Sequence, residues 1–227
     1  MRFLLFLLLA LGLARLPFAR ADEAPVASAK WEKEIAAYEA RDRENTPPKD
    51  AIVFVGSSSI RLWKTLAQDF PQHRVINRGF GGSELADSAH FAERLVLVYQ
   101  PRMIVVYAGG NDINNGKSPE EVFDAFKAFV AKVRAAQPET PIAYISIAGN
   151  PSRWAQVEKV KAANALIADY CKEQPHLQFI DVFSKMLGPD GLPKPDIFVE
   201  DRLHMNSEGY KIWTGVVRAF LPEPDLK

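Results

Sequence analysis

The feature that most restricts the fold of this chain is a repeated alternation of short apolar runs with longer helical segments. The runs are rich in Val, Ile and Phe without polar alternation, as is typical of strands buried on both faces. They are "AIVFVG" (51–56), "RVIN" (74–77), "MIVVYAG" (103–109), "IAYISIA" (142–148) and "LQFIDV" (177–182). The helical segments are 60–69, 84–98, 119–136, 153–174 and 206–221. This alternation predicts an α/β fold, a three-layer α/β/α sandwich around a central parallel sheet of about five strands.

The residues before the first strand indicate an export signal and a leading helix. "MRFLLFLLLALGLARLPFARA" has a basic start, an apolar run and a small-x-small ending at Ala21, which predicts a signal peptide over residues 1–21 that is cleaved. The alternative, a retained membrane anchor, fits less well because the run is shorter than the about 20 residues of a spanning helix. Residues 22–50 are predicted as a flexible lead and a helix, and residues 51–227 as one domain. The mature protein is expected in the periplasm or outside the cell.

Charge and cysteine content exclude several classes of protein. The chain has 28 basic and 28 acidic residues, which gives no reason to expect nucleic acid or an anionic membrane surface as a partner. Cys171 is the only cysteine, so no internal disulfide can form, and its place on an apolar helical face indicates a buried structural thiol. The four histidines have no metal-ligand spacing, so we predict no metal site.

Polar residues and glycines follow the first three strands at the point where each strand ends. They are Gly56-Ser57-Ser58-Ser59, then Asn77-Arg78-Gly79-Phe80-Gly81-Gly82, then Gly109-Gly110-Asn111-Asp112. Ligands of open parallel sheets bind at the carboxyl ends of the strands. We therefore expect a functional site there, and a serine of the first group could be a nucleophile if a base lies nearby.

One of the four histidines suits the role of that base. In "VEDRLHMNSEGY", Asp201 precedes His204 by three residues, and in a tight turn its carboxylate could hold Nδ1–H and leave Nε2 free. By itself this pair is also compatible with a helix-start acid and an incidental histidine. The other three, His73, His90 and His176, are predicted to be surface or packing residues.

The two remaining strand ends offer donors for a developing oxyanion. The turn "GFGGS" can present backbone N–H groups, and the side-chain amide of Asn111 in "GGND" can donate directly. Taken singly, the first could be an ordinary tight turn or a phosphate cradle. The second could be a turn-forming Asn-Asp pair.

Four segments together resemble the sequence blocks of the SGNH (GDSL-type) hydrolases. They are "FVGSSSIRLW", "NRGFGGSEL", "YAGGNDI" and "DRLHMNSEGY", and the resemblance extends over the chain from residue 51. The family consists of esterases, lipases, thioesterases and carbohydrate deacetylases. The resemblance implies a flavodoxin-like α/β sheet and no metal or organic cofactor.

Residue by residue, the resemblance implies a Ser-His-Asp triad of Ser58, His204 and Asp201. The oxyanion hole would consist of the Ser58 N–H, the Gly82 N–H and the Asn111 amide, with Gly82 chosen over Gly81 as the last glycine of its turn. The sequence departs from the family where Ser57 replaces the usual aspartate. Ser59 is predicted to be the N-cap of the following helix.

The sequence thus predicts a carboxylic ester hydrolase and leaves its substrate open. Ile60 stands where the α/β-hydrolase pattern G-x-S-x-G requires glycine, which excludes that fold. The short loops indicate an open site for short acyl groups, such as acetyl on a glycan or small molecule. The alternatives are a lysophospholipase- or thioesterase-type acyl hydrolase and a non-catalytic flavodoxin-like ligand- or glycan-binding protein. Arg61, Trp63 and Arg78 are predicted to pack or carry surface charge, with substrate contact as the alternative.

Overall fold

The computed structural model describes the backbone of residues 26–224 and the side chains of residues 29–224. The predicted signal peptide, residues 1–21, lies outside the described residues. In chain order the strands are β1 (Ile52–Gly56), β2 (Val75–Gly79), β3 (Met103–Tyr107), β4 (Ile142–Ile145) and β5 (Leu177–Ile180). The helices are α1 (Glu32–Glu44), α2 (Ser58–Arg61), α3 (Leu66–Asp69), α4 (Leu85–His90), α5 (Ala92–Leu95), α6 (Gly110–Asn114), α7 (Pro119–Ala136), α8 (Val157–Glu173) and α9 (Ser207–Arg218). Short 3-10 helices cover Val26–Trp31, Leu97–Tyr99, Pro151–Gln156, Ser184–Met186 and Pro195–Ile197.

The five strands form one parallel sheet in the order β2-β1-β3-β4-β5. This is the order of flavodoxin-like sheets, in which the chain reverses its direction of growth between β1 and β3. The register aligns Gly56 of β1 with Gly79 of β2 and with Tyr107 of β3. The turns after these three strands therefore lie on one edge of the sheet.

Alternate residues of each strand enter separate hydrophobic cores on the two sides of the sheet. Val53 and Val55 face the core formed with α1, α4, α5, α7 and α8, whereas Ile52 and Phe54 face the core formed with α2, α3 and α9. All four side chains are fully buried. The absence of polar alternation in the sequence is the direct consequence of this two-sided burial, and the predicted three-layer α/β/α fold is confirmed.

Local sequence explains where α7 begins. Ser118 accepts a hydrogen bond from the Glu121 N–H at 3.2 Å, and the Glu121 carboxylate accepts from the Ser118 N–H at 2.7 Å. Pro119 occupies the first helical position, where no N–H is needed. The predicted bounds 119–136 agree with the structure.

Three other predicted helices are interrupted. The predicted helix 60–69 divides into α2 and α3 because the Asp69 carboxylate holds the Trp63 indole at 2.6 Å and the Thr65 hydroxyl at 2.7 Å in the connection between them. The predicted helix 84–98 divides into α4, α5 and a 3-10 turn, and the first residues of the segment 153–174 form a 3-10 helix. In the N-terminal lead, the part from Val26 onward is 3-10 helix rather than irregular chain.

Candidate active site

The segment that follows β1 places a serine hydroxyl at the sheet edge. Gly56 adopts φ +132°, and a Cβ there would lie 1.9 Å from the Tyr107 carbonyl oxygen, so the chain can pass β3 at this distance only with glycine. Ser57 then donates its N–H to the same carbonyl at 2.9 Å. The helix α2 begins at the next residue, Ser58, whose hydroxyl lies at the start of the helix.

The N-cap prediction for Ser59 is wrong. The N-cap of α2 is Ser57, which is buried and extended, and Ser59 lies within the helix. The Ser59 hydroxyl is hydrogen bonded to Tyr107, and its carbonyl oxygen accepts from the Tyr210 hydroxyl at 2.8 Å. Both groups of Ser59 are thus engaged with the aromatic core beneath the helix.

A hydrogen-bonded array joins Ser58 to His204, 146 positions further along the chain, and through it to Asp201. Ser58 Oγ lies 2.8 Å from His204 Nε2, and His204 Nδ1 lies 2.6 Å from Asp201 Oδ2. A carboxylate oxygen can only accept, so the Nδ1 atom carries the proton and the Nε2 lone pair faces the serine hydroxyl. The geometry therefore permits proton transfer from Ser58 to His204.

The turn between Phe198 and Met205 fixes this histidine. Asp201 Oδ1 accepts from the N–H groups of Leu203 and His204 at 2.8 and 2.9 Å. Arg202 adopts φ +57°, and Val199 donates its N–H to the His204 carbonyl at 2.9 Å, which closes the turn. One carboxylate thus holds both the backbone and the ring of the same residue.

The electrostatics of Asp201 follow from these contacts. Desolvation raises the pKa of its carboxyl, but the hydrogen bonds from the His204 backbone, the His204 ring and the Leu203 backbone outweigh it and bring the pKa to about 2. The side chain is nevertheless 47% exposed, so the carboxylate meets solvent on its far side. It remains charged at any pH near neutrality.

The predicted oxyanion donors lie on the neighbouring turns. Asn111, in α6, donates its Nδ2 to the Ser83 carbonyl at 3.0 Å, which joins the turn after β3 to the turn after β2. Gly82 precedes Ser83, is exposed and adopts φ +74°, a conformation that favours glycine. The ring of Trp31 would lie 3.3 Å from a Cβ at this position.

A small cleft of about 30 Å³ lies beside the array. Ser58, Asn111 and His204 line it, and Tyr107 and Trp213 are among its apolar residues. Gly82 is not among the lining residues. A much larger groove of about 670 Å³ lies between α1 and β2, but its lining contains none of Ser58, Asn111 and His204. We assign the site to the small cleft, because Ser58 and His204 line it and their hydroxyl and imidazole are placed for proton transfer.

A fourth strand end also contributes to the cleft, and the polar groups predicted from the sequence do not include it. The segment after β4 places Ala148, Asn150 and Arg153 in its lining. The segment "GNPSR" follows the fourth apolar run, and this position after a strand is the signal in the sequence that indicates these residues.

The other residues considered in the sequence are placed outside the cleft. Arg78 is buried and pairs with Asp42 at 2.6 Å, and Trp63 is buried in the core beneath α2, so the packing interpretation holds for both. Arg61 lies 3.9 Å from Glu34 and contributes surface charge. Burial raises the pKa of the Cys171 thiol to about 12, as expected of a structural cysteine.

The remaining histidines lie away from the array. His176 is 3.1 Å from the exposed Glu139, His73 is 3.1 Å from Arg102, and His90 packs edge-on against Phe91.

Within residues 26–224, no three His, Cys, Asp or Glu side chains are grouped as metal ligands. In the same part of the chain, no helix has the length and apolar character needed to cross a membrane.

The fold and the site together define a flavodoxin-like α/β protein with a serine-histidine-carboxylate array at the strand ends. The family model of the GDSL-like Lipase/Acylhydrolase family matches residues 53–212, and the chain belongs to that family. The resemblance stated from the sequence is therefore confirmed. None of the curated proteins matches the chain by sequence.

Solved structures share the fold at low sequence identity. A GDSL-like lipase from Bacteroides thetaiotaomicron is 20% identical with a TM-score of 0.71, and the match covers 82% of this chain and 96% of that one. A carbohydrate esterase family 3 protein from Talaromyces cellulolyticus is 16% identical with a TM-score of 0.60, covering 74% and 94%. The structure of an acetyl esterase mutant with an acetate ion is 16% identical with a TM-score of 0.59, covering 74% and 94%.

Proposed function

We propose that this protein is a serine esterase that hydrolyses short acyl esters, above all acetyl esters of carbohydrates or small molecules. The observation that carries the proposal is the 2.8 Å contact between Ser58 Oγ and His204 Nε2, together with the 2.6 Å contact between His204 Nδ1 and Asp201. A serine hydroxyl is a weak nucleophile unless a base accepts its proton, and this arrangement provides that base.

The proposed reaction proceeds through an acyl-enzyme. Ser58 Oγ attacks the ester carbonyl carbon while its proton passes to His204 Nε2, and Asp201 stabilises the imidazolium. The N–H of Ser58 and the Asn111 amide, whose residues line the cleft, bind the oxyanion of the tetrahedral intermediate, and the N–H of Gly82 on the neighbouring turn is the third proposed donor. His204 then protonates the departing alcohol. A water molecule, deprotonated by His204, attacks the acyl-enzyme, releases the carboxylic acid and regenerates Ser58.

The size of the cleft supports a short acyl group. A volume of about 30 Å³ admits a few atoms, since a cavity that holds a single water has roughly 10–15 Å³. Apolar side chains such as Met186 and Phe198 bound it and suit a methyl group. The acetyl esterase and the carbohydrate esterase of the same fold favour this substrate class. A lysophospholipase- or thioesterase-type activity would require a longer apolar channel.

The proposal extends to location. The N-terminal sequence "MRFLLFLLLALGLARLPFARA" supports export of the protein to the periplasm or the medium with cleavage after Ala21. Amino-terminal sequencing of the mature protein tests this directly. A mature chain that begins at Met1 would contradict it.

The test of the reaction is hydrolysis of p-nitrophenyl acetate, butyrate and octanoate and of acetylated sugars. We expect Ser58→Ala and His204→Ala each to lower kcat/KM by about 10³-fold or more. His176→Ala is the matched control, because it removes a histidine that also has a carboxylate partner but lies far from Ser58. A serine-directed fluorophosphonate should label the Ser58 peptide.

Four outcomes would contradict the proposal. Full activity of Ser58→Ala would overturn the role of Ser58, and labelling of Ser57 or Ser59 instead would reassign the nucleophile. Octanoate as the preferred acyl group would favour the lipase or thioesterase alternative. A protein that binds glycans but hydrolyses none of these esters would be a non-catalytic relative.

A further inference from the structure

The amide of Asn111 has a second partner that no sequence motif indicates. Arg153 lies in the 3-10 helix between β4 and α8, and its Nη1 donates to the Asn111 Oδ1 atom at 3.0 Å. The same nitrogen donates to the Gly110 carbonyl at 3.1 Å. Arg153 thus binds both a backbone carbonyl and a side chain of the turn that follows β3.

These contacts fix which end of the Asn111 carboxamide is the NH₂ group. The Ser83 carbonyl oxygen on one side can only accept, and the Arg153 guanidinium on the other side can only donate. A flipped amide would place a donor against a donor and an acceptor against an acceptor. Of the two Nδ2 protons, one is used by Ser83, and no other acceptor within residues 26–224 takes the second.

Arg153 itself is held at several points. Its backbone N–H donates to the Asn150 side chain at 3.0 Å, and its neighbour Ser152 donates its N–H to the Arg202 carbonyl at 3.1 Å. Trp154 stacks on Phe183 on the other side. The segment is therefore fixed both to the turn of Asp201 and His204 and to the loop after β5.

The guanidinium of Arg153 is partly removed from solvent beside the cleft. The side chain is partly buried in the cleft, and burial lowers the pKa of its guanidinium, with the Tyr107 hydroxyl opposing that effect. Within residues 26–224, its side chain donates to two uncharged partners, the Gly110 carbonyl and the Asn111 amide. A partly buried cation with uncharged partners favours negative charge nearby.

We propose that Arg153 is a positioning residue for the oxyanion hole, which it serves by holding the Asn111 amide with one Nδ2 proton directed into the cleft. This inference rests on the proposed esterase function. The charged hydrogen bond to Oδ1 also withdraws electron density from the amide and makes Nδ2–H a stronger donor. The stronger Nδ2–H donor stabilises the tetrahedral intermediate, in which the carbonyl oxygen gains negative charge. It does not stabilise the bound ester in the same way.

A double-mutant cycle with Asn111 tests this assignment. We expect Arg153→Met to lower kcat about 10- to 30-fold with KM changed less than about threefold, because the interaction is made mainly in the transition state. In the Asn111→Ala background the same substitution should lower kcat by less than about twofold, since its target is then absent. Arg153→Lys, which retains a charged donor, should recover most of the loss.

The control is Arg134→Met. Arg134 is also partly buried and donates to two backbone carbonyls, those of Thr140 and His176, at the opposite edge of the sheet. The kcat of the Arg134→Met variant should equal that of the unmodified protein. Equal losses of kcat on Arg153→Met with and without Asn111 would overturn the proposal, as would an Arg153→Met protein of undiminished kcat.

A second measurement does not depend on catalysis. The side-chain NH₂ signals of Asn111 can be assigned in a ¹H–¹⁵N spectrum, because they are absent from the spectrum of the Asn111→Ala variant. We expect them to shift and exchange faster with water in Arg153→Met. Unchanged signals would refute the positioning role even if kcat fell. Full activity of Ser58→Ala would instead overturn the esterase proposal, while these signals would still report whether Arg153 holds Asn111.

Discussion

Single atoms of Asp201 have separate tasks in this site. Oδ1 accepts from two backbone N–H groups and so shapes the turn, whereas Oδ2 accepts from the His204 ring and so fixes its tautomer. The low pKa of about 2 arises from the sum of these contacts against desolvation. The two tasks can be separated by a substitution that alters only one oxygen.

Asp201→Asn makes that separation. The amide oxygen can retain the backbone contacts, but the NH₂ group replacing Oδ2 cannot accept from Nδ1–H, so the imidazole takes the wrong tautomer. We expect kcat to fall about 10²- to 10⁴-fold, with a melting temperature within a few degrees of the original. Steady-state kinetics and thermal unfolding measure both.

The matched control is Glu139→Gln, which alters the carboxylate partner of His176 on the surface. Its kinetics should be unchanged. An Asp201→Asn protein with full kcat would show that the carboxylate does not orient the base.

At the scale of elements, the site depends on how closely β1 and β3 run at their carboxyl ends. Gly56 and Tyr107 are register partners, and the chain turns into α2 directly beside the Tyr107 carbonyl. The turn can place Ser58 at this edge of the sheet only because no side chain separates the two backbones. The conformation of Gly56, φ +132°, adds a second reason for glycine.

Gly56→Ala should therefore be severely destabilising. A methyl group 1.9 Å from the Tyr107 oxygen requires backbone movement, and we expect a loss of more than about 3 kcal/mol in the free energy of unfolding or failure to fold. Gly215→Ala is the control, since Gly215 is exposed in α9 and the added Cβ would meet nothing within 4 Å outside the adjoining helix backbone.

The control variant should be more stable by up to about 1 kcal/mol, because alanine has the higher helix propensity. Urea unfolding compares the two. A Gly56→Ala protein as stable as the original would contradict the close approach of the strands.

Element boundaries were predictable where a signal is local. The capping box at Ser118 and Glu121 with Pro119 between them defines the start of α7 in the sequence itself. The division between α2 and α3 depends on Trp63 entering the core beneath the sheet and on its indole contact with Asp69, so a helical pattern over 60–69 did not reveal it. The point at which β1 ends decides that Ser57 is the N-cap of α2. The run of serines does not by itself reveal this.

At the scale of the whole molecule, the site is supported by packing beyond the segment that the family model matches. Helix α1 precedes that segment, yet Tyr38 donates its hydroxyl to the Gly79 carbonyl at 2.5 Å, and Asp42 pairs with buried Arg78. Both contacts hold the end of β2, from which the glycine turn begins. The prediction of residues 22–50 as a separate lead stays untested as a domain boundary, but α1 packs on the same core.

Global stability should depend on pH through Asp112. This buried carboxylate accepts from the Leu85 N–H and lies 3.8 Å from Lys117, but desolvation dominates and raises its pKa to about 6. Lys117 lowers this pKa, whereas the nearby carboxylate of Glu84 raises it further. The folded protein therefore binds more protons than the unfolded chain between about pH 4 and pH 6, and stability declines as pH rises through this window.

Asp112→Asn removes that titration. We compare the free energy of unfolding of the variant with that of the original protein at each pH. This difference should change in favour of the variant by on the order of 2–3 kcal/mol from pH 4 to pH 7. Urea unfolding at both pH values measures the difference, with the exposed Asp169→Asn as control. An equal stability difference at the two pH values would show that Asp112 does not titrate in this range.

The sequence by itself determined the layers of this protein and the edge at which its site lies. Apolar runs without polar alternation indicate strands buried on both faces, and polar turn residues mark the ends of those strands. Both signals depend on residues that are neighbours in the chain. Ser58, Asn111, Asp201 and His204 could be proposed from it because family motifs surround them. Arg153 has no such motif and emerged only from its contacts.

Only the tertiary structure decided which groups meet and how. The contact between Ser58 and His204 spans 146 residues, and it depends on the strand order β2-β1-β3-β4-β5 and on how α9 packs beneath the sheet. Likewise, the orientation of the Asn111 amide depends on partners from the turns after β2 and β4. Hydrogen bonds act over about 3 Å, so their partners are set by long-range packing, which no local pattern in the chain encodes.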